Sequence, residues 1–562
     1  MNTVSQTPGD GLTPLARGLF VATCCVSIAV IMGLTAGAIA VVPDIGRDIG
    51  GTQSDLQWAT DAFPLVVAAL LLPAGAVLDR YGRRRGMLAG LVILTGAVAW
   101  TALSDSIGHV IASRAVAGVG AALLFPGTLA SITAAMPADR RPFAVAAWAV
   151  SVIVGAVVGL LIFACGVEWA GWREPFLFIA GISAVLVGLT ARYVPETRAE
   201  HEVSLDPVGA VTSVVAIGGL TLAVTEGPVH GWLGTTTLVA AGLGTATLVA
   251  FVRWELRHPR PLLDVRLLVD GRFGAASTSL FVMFFAHFAL FYLSIQYQGY
   301  VLGYTTLESS LGVVPPVMGY ALTPLGPRLA RRIGRRAVIV GAMGLCVVGA
   351  GVAAGMAVAG TESYWTFAIG AGLMWSGIGL AMAPPTEMII ESVPAEKQGV
   401  ASAVNDLARE LSAAVGIAVA GSAFNTAYRA SVDDHVGGLG AFGATVIASP
   451  GAAIEGLAGR PDGPQVLRVI QDGVMAGWTW AFVITGMVVL AGAAVVWWRC
   501  PDRATERRLR TVIDATRDAT ADPAGARPVR AGTDAGRDAD VDQDMAPDAD
   551  HRQGPVVATD NA

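Results

Sequence analysis

Asp61, Arg114, His287, Asp406, Arg409 and Glu410 lie inside long apolar runs, and Glu387 ends another. A charge at the centre of a hydrocarbon layer costs about 2.5–3.5 kcal/mol on insertion scales, so each is a functional candidate. The chemistry open to them is the binding of protons or ions. Asp61 and Arg114 sit near one end of the second and fourth runs, at similar expected depth, so they can pair. A carboxylate moved between a cationic and an apolar setting loads and unloads a proton. The plainer alternative for Asp61 is an interfacial carboxylate meeting headgroups and water. Asp406 and Glu410 are four residues apart and share one helical face. Arg409 beside them leaves one negative charge in excess, which suits a cationic group or a proton; the alternative is a structural ion pair. Glu387 and Glu391 follow Pro384-Pro385, a pair that interrupts helical hydrogen bonding. Glu391 reads as an inner-surface acid, and Glu387 as either a cavity acid or a surface one. His287, within Phe284–Tyr292, titrates in the range that proton coupling needs. A hydrogen-bonded core histidine is its alternative. No phosphate loop, nucleophile elbow or metal-ligand spacing accompanies these residues, so no catalytic residue, metal or cofactor is expected. The five cysteines are scattered and imply neither a metal nor a disulfide framework.

The elements that must position these residues follow from composition. Of 562 residues, 54% are hydrophobic and 14% charged, against about 25% charged in soluble domains. About 20 apolar residues cross ~30 Å of hydrocarbon. Fourteen such runs can be read, approximately 18–42, 57–78, 86–104, 108–133, 142–166, 174–194, 207–225, 233–252, 273–297, 308–327, 337–359, 364–386, 399–424 and 474–497. The expected fold is an all-α polytopic membrane protein. With the N-terminus in the cytoplasm, the inner segments carry 25 Lys and Arg and the outer ones 5, which sets both termini inside. The expected organisation is a cytoplasmic tail over 1–17, a six-helix half over 18–194, and two linker helices with a basic cytoplasmic linker over 195–272. A second six-helix half spans 273–498, with an extracytoplasmic loop at 425–472, and a disordered cytoplasmic tail covers 499–562. No basic domain supports nucleic-acid binding.

The strongest local motif is Gly75-Ala76-Val77-Leu78-Asp79-Arg80-Tyr81-Gly82-Arg83-Arg84-Arg85. A weaker copy, Arg331-Arg332-Ile333-Gly334-Arg335-Arg336, begins 252 residues after Asp79. Both follow the second run of a six-run block, the mark of an internal duplication in a transporter. The first string resembles the loop motif of the major facilitator superfamily. Asp55–Phe63, Arg114–Ala122 and Val393–Glu410 resemble, in turn, second-, fourth- and thirteenth-helix motifs of its 14-helix drug:proton antiporter branch. Two departures stand out: Met32–Thr35 lacks the branch's first-helix acid, and Gly159-Leu160 replaces its fifth-helix Gly-Pro. The resemblance implies two pseudo-symmetric six-helix halves plus two inserted helices. It also implies a conformational latch at Asp79, Arg80, Gly82, Arg83 and Arg84, in which Asp79 accepts from an Arg or a helix N-terminus. Proton-coupling candidates are then Asp61, Arg114 and Glu410; substrate-binding candidates are Asp406, Glu410, Glu387 and His287. The expected activity is proton-coupled export of lipophilic compounds, cations among them, from the cell membrane by a protein working as a monomer. Its partners are a small-molecule substrate, protons and the lipid bilayer. The alternatives are a proton-coupled transporter of one metabolite and, in another class, a non-transporting membrane sensor.

Overall fold

The computed structural model describes residues 13–505, apart from 51–52, 138, 198–205, 361–362, 394–397, 437–438, 449, 458–459 and 504. Most of the tail expected over 499–562, and most of that over 1–17, therefore lies outside the described residues, as do Pro394–Lys397 of the thirteenth-helix motif. The described residues are helical with no strand among them. In hydrocarbon every backbone N–H and C=O must be satisfied within its own segment, and a helix does this.

The first half comprises α1 (Pro14–Ile49), α2 (Gln53–Tyr81), α3 (Arg83–Ala102), α4 (Ile107–Ala135), α5 (Arg141–Trp169) and α6 (Arg173–Tyr193). Two inserted helices follow, α7 (Pro207–His230) and α8 (Thr235–Glu255). The second half comprises α9 (Gly271–Tyr300), α10 (Thr306–Val317), α11 (Leu325–Ile333), α12 (Arg335–Val358), α13 (Tyr364–Leu380), α14 (Ala383–Glu391) and α15 (Gln398–Val432). Two short helices, α16 (Ala441–Ala448) and α17 (Pro450–Glu455), lead to α18 (Gly463–Arg499). Thirteen helical spans among the described residues are long and apolar enough to cross a membrane. A fourteenth crossing is built in pieces. Pro315 and Pro316 remove two amide donors, so α10 gives way to a 3-10 turn at Met318–Leu322 before α11 resumes. The expected single run 308–327 is thus a broken helix. The twelfth crossing breaks likewise between α13 and α14, just ahead of Pro384-Pro385. Within 425–472, α15 and α18 extend from both sides and α16 and α17 occupy the middle; the Tyr428 hydroxyl donates to the Val446 carbonyl at 2.7 Å.

Glycines set the helix crossings. On α5, Gly155 and Gly159 lie against Ala29 and Gly33 of α1 so closely that a Cβ at either would collide with backbone. In the second half, a Cβ at Gly416 on α15 would stand 2.6 Å from the Phe285 carbonyl of α9. Phe285 lies 252 residues after Gly33, the spacing of the two loop motifs. Gly90 of α3 meets Gly120 of α4, and Gly349 of α12 meets Gly370 of α13. Without a hydrophobic drive between helices in lipid, close backbone approach supplies the packing. Across the seam between halves, α15 lies against α2 and α4, while α5 lies against α10 and α14. The inserted α7 and α8 pack on each other, with α7 against α2 and α15. Exposed Trp169, Trp232 and Trp365 ring one end of the bundle and Trp254, Trp497 and Trp498 the other, as aromatic belts do at membrane interfaces.

Candidate functional site

At the end of the bundle carrying the arginine turns, α2 passes into α3 through Gly82, whose φ of 104° is left-handed. Such a φ favours glycine; a Cβ here would also stand 2.5 Å from Glu196 Oε1. The turn brings Arg83 back onto Asp79, Nη2 to Oδ1 at 2.8 Å, with both side chains buried. Arg83 Nη1 reaches the Ala130 carbonyl of α4 at 3.5 Å. The other Asp79 oxygen accepts from the Val400 backbone N–H, at 3.2 Å, in the first turn of α15. One carboxylate therefore joins its own half to the first turn of a helix in the other half. Arg84 donates to the Ala191 carbonyl, and its amide to Glu196 at 3.2 Å. Arg85 lies 3.8 Å from Glu196. Arg80 rests over the Tyr81 ring, 5.6 Å from its centroid. Glu196 was not singled out from the sequence. It follows the sixth apolar run, and only the first run of arginines hints that an acid must meet them.

The second copy is built with the same turn, Gly334 at φ 92°, but its acids come from another helix. Arg335 makes two bonds to Glu391, at 2.6 and 2.8 Å, and lies 3.5 Å from Glu387. Arg272 joins Glu391 at 3.2 Å. Position 331, where symmetry would place an aspartate, is arginine, so α14 supplies the carboxylates. Glu387 is thereby drawn into this ionic cluster.

Deeper in the first half, Arg114 is buried and binds carbonyls: Ala59 at 3.0 Å, Leu34 at 3.3 Å and Thr60 at 3.4 Å. Its guanidinium lies 5.1 Å from the Phe63 centroid. Half-buried Asp61 acts on it electrostatically. Arg114 thus ties α4 to α1 and α2, and on α1 it uses a backbone oxygen of Met32–Thr35, the stretch lacking the branch's acid.

The remaining candidates gather at the seam. Asp406 and Arg409 on α15 are almost wholly buried, and Glu410 is half-buried. Asn405 Nδ2 donates to Asp406 Oδ1 at 3.0 Å. Arg409 Nη2 reaches Thr386 Oγ at 3.4 Å. The Arg409 guanidinium carbon lies 4.7 Å from the ring centroids of both Trp148, on α5, and Phe284, on α9. Trp148 is held by its indole N–H donating to Thr128 Oγ at 2.9 Å. Arg409 therefore sits where one half meets the other. At ~1.5 Å per residue it is about 16 Å along α15 from Gln398, near the depth of a bilayer midplane. Next to Phe284, His287 Nδ1 faces the Trp375 indole N–H at 3.1 Å and the Tyr320 hydroxyl at 2.9 Å. Indole is a donor only, so Nδ1 is the acceptor and a neutral ring carries its proton on Nε2.

Paired six-helix halves, a broken tenth crossing and arginine turns at quasi-equivalent places define a multi-pass membrane protein of the transporter type. The chain belongs to the Major Facilitator Superfamily, whose family model matches residues 19–417. It is 31% identical over 398 residues to multidrug resistance protein Stp of Mycobacterium tuberculosis, covering 70% of this chain and 73% of that one. It is 29% identical over 499 residues to the multidrug efflux pump LfrA of Mycolicibacterium smegmatis, covering 88% and 98%. Methyl viologen resistance protein SmvA of Salmonella typhimurium is 30% identical over 398 residues, covering 69% and 79%. A bacterial homolog of the human lysosomal transporter Spinster, solved inward-facing, shares the fold at a TM-score of 0.53 and 15% identity, covering 88% of this chain and 100% of that one.

Proposed function

We propose that this protein is a proton-coupled exporter that moves lipophilic compounds, cations among them, out of the cell by alternating access. The observation that carries this reading is the buried Asp406 and Arg409 on α15, with half-buried Glu410 beside them, set against aromatic rings at the seam between halves. Buried charges there are expensive unless they are used. The names of the similar proteins, multidrug resistance and efflux among them, point the same way.

In this mechanism the halves rock about the seam. Aromatic surface beside Phe284 and Trp148 accepts the flat apolar body of a substrate, and Asp406 and Glu410 exchange a proton for its positive charge. Asp61, beside Arg114, is the second proton-carrying group. The Asp79–Val400 bond closes the cytoplasmic end while the outside is open. Glu387, committed to Arg335, belongs to the corresponding cluster of the second half. His287, with two donors on Nδ1, shapes the aromatic wall rather than carrying the proton. Both termini are cytoplasmic, the membrane is the cell membrane, and one chain forms the whole pathway.

The test is efflux from proteoliposomes with an imposed pH gradient, using a panel of dyes, biocides and antibiotics. Export of several panel members that collapses when the gradient is dissipated is expected. A panel unmoved under every gradient would overturn the reading.

A further inference from the structure

Asp406 and Arg409 carry opposite charges three residues apart on one helix, yet no ion pair joins them. Asp406 is held by Asn405, and Arg409 by Thr386, Trp148 and Phe284. Three of their polar atoms are left without a hydrogen-bond partner: Asp406 Oδ2, Arg409 Nε and Arg409 Nη1. Both residues are more than nine-tenths buried. A buried donor or acceptor left unmet is costly, more so when charged, so native structures fill such positions. The three atoms are complementary in kind: an anionic acceptor on one side, cationic donors on the other.

We infer that Asp406 and Arg409 form a dipolar recognition site for an amphoteric substrate, one bearing both a protonated amine and a carboxylate or similar anionic oxygen on an aromatic body. This rests on the exporter reading and narrows its substrate class. Asp406 Oδ2 accepts from the amine, and Arg409 Nη1 donates to the anionic oxygen. Trp148 and Phe284 exclude water from the guanidinium, which strengthens both contacts. The ligand's two charges are spaced to meet side chains three residues apart on one helix, whose Cβ atoms lie about 5–6 Å apart. A substrate with a single charge satisfies one residue and strands the other, as sites built to bond a group reject analogues lacking it.

The experiment uses three matched probes: an aryl-piperazine carboxylic acid, its methyl ester, and its N-acetyl derivative. These are zwitterion, cation and anion on one scaffold. Affinity is measured on the full chain in lipid nanodiscs by calorimetry. The zwitterion should bind about tenfold more tightly than either relative. Arg409→Gln should erase the preference over the ester and keep that over the N-acetyl form; Asp406→Asn should do the reverse. The wild-type ranking decides even where a variant fails to fold. Equal affinities, tighter binding of either singly charged probe, or no binding at all would mean that water alone occupies these atoms, and would overturn the inference. Efflux of the same probes is measured separately. Export of the ester with flat affinities would sink the dipolar site and leave the exporter; tight zwitterion binding without efflux of any compound would do the opposite.

Discussion

Asp79 holds two partners at once, Arg83 in its own half and the Val400 amide in the other. Asp79→Asn keeps the shape and an acceptor but removes the charge. A buried ion pair broken on one side strands its partner at a cost of about 3–5 kcal/mol. Transport should fall by more than tenfold in protein that still reaches the membrane, as read from efflux normalised to inserted protein; wild-type rates would reduce the motif to a topology signal. On α15 the singly changed variants Asp406→Asn and Glu410→Gln separate binding from pairing. Both should impair transport, and a cationic dye should suffer more than a neutral one because desolvated Coulomb attraction is lost. Tolerance of either change would mean that Arg409 needs only one acid. Asp61→Asn should reduce substrate-induced proton release for every substrate alike, measured with a pH dye in lightly buffered detergent solution. The positions of these acids were legible in the sequence because charge in an apolar run stands out. Their partners were less so. Arg114 binds carbonyls, which every residue has, and Arg409 binds ring faces, which look like ordinary core.

At the scale of elements, the crossing of α1 and α5 depends on four small residues, Ala29, Gly33, Gly155 and Gly159. Gly159→Ala adds one methyl where the facing atom is backbone, which cannot rotate away. Overpacking of this kind costs about 1–3 kcal/mol. The thermal midpoint of the solubilised protein should drop by several degrees, whereas Gly351→Ala, with open space around it, should leave it unchanged or raise it. An unchanged midpoint for both would deny that the close approach matters. All fourteen crossings were readable from hydropathy alone, and the break in the twelfth from Pro384-Pro385. The tenth read as one run because apolar content does not register the loss of amide donors at Pro315 and Pro316. The long connection after α15 reads as a loop, though its Gly- and Ala-rich text fits a short helix equally well; α16 and α17 form where the residues have α15, α18 and α9 to lie on.

For the whole molecule, the arrangement of charge makes a topological prediction. Cysteines at Leu233 and Ala359 should react with a membrane-impermeant maleimide in intact cells, and those at Asp139 and Arg260 only after the membrane is opened. All four positions are exposed. Labelling of the second pair alone in intact cells would invert the bundle. The duplication was legible because its turns recur at a fixed step, whereas the exchange of acids between Asp79 and α14 was not, since it is visible only once the helices are assembled. The seam at Asp79 also has an energetic scale. When the halves part at that end, Arg83 travels with Asp79, and the bond to the Val400 amide is given up. A hydrogen bond to a charged acceptor is worth about 1.5–3 kcal/mol. One proton falling through one pH unit releases about 1.4 kcal/mol. In the proposed mechanism, a latch bond of that size is comparable to the driving force of the ion: firm enough to resist thermal opening most of the time, and weak enough for one or two protons to undo.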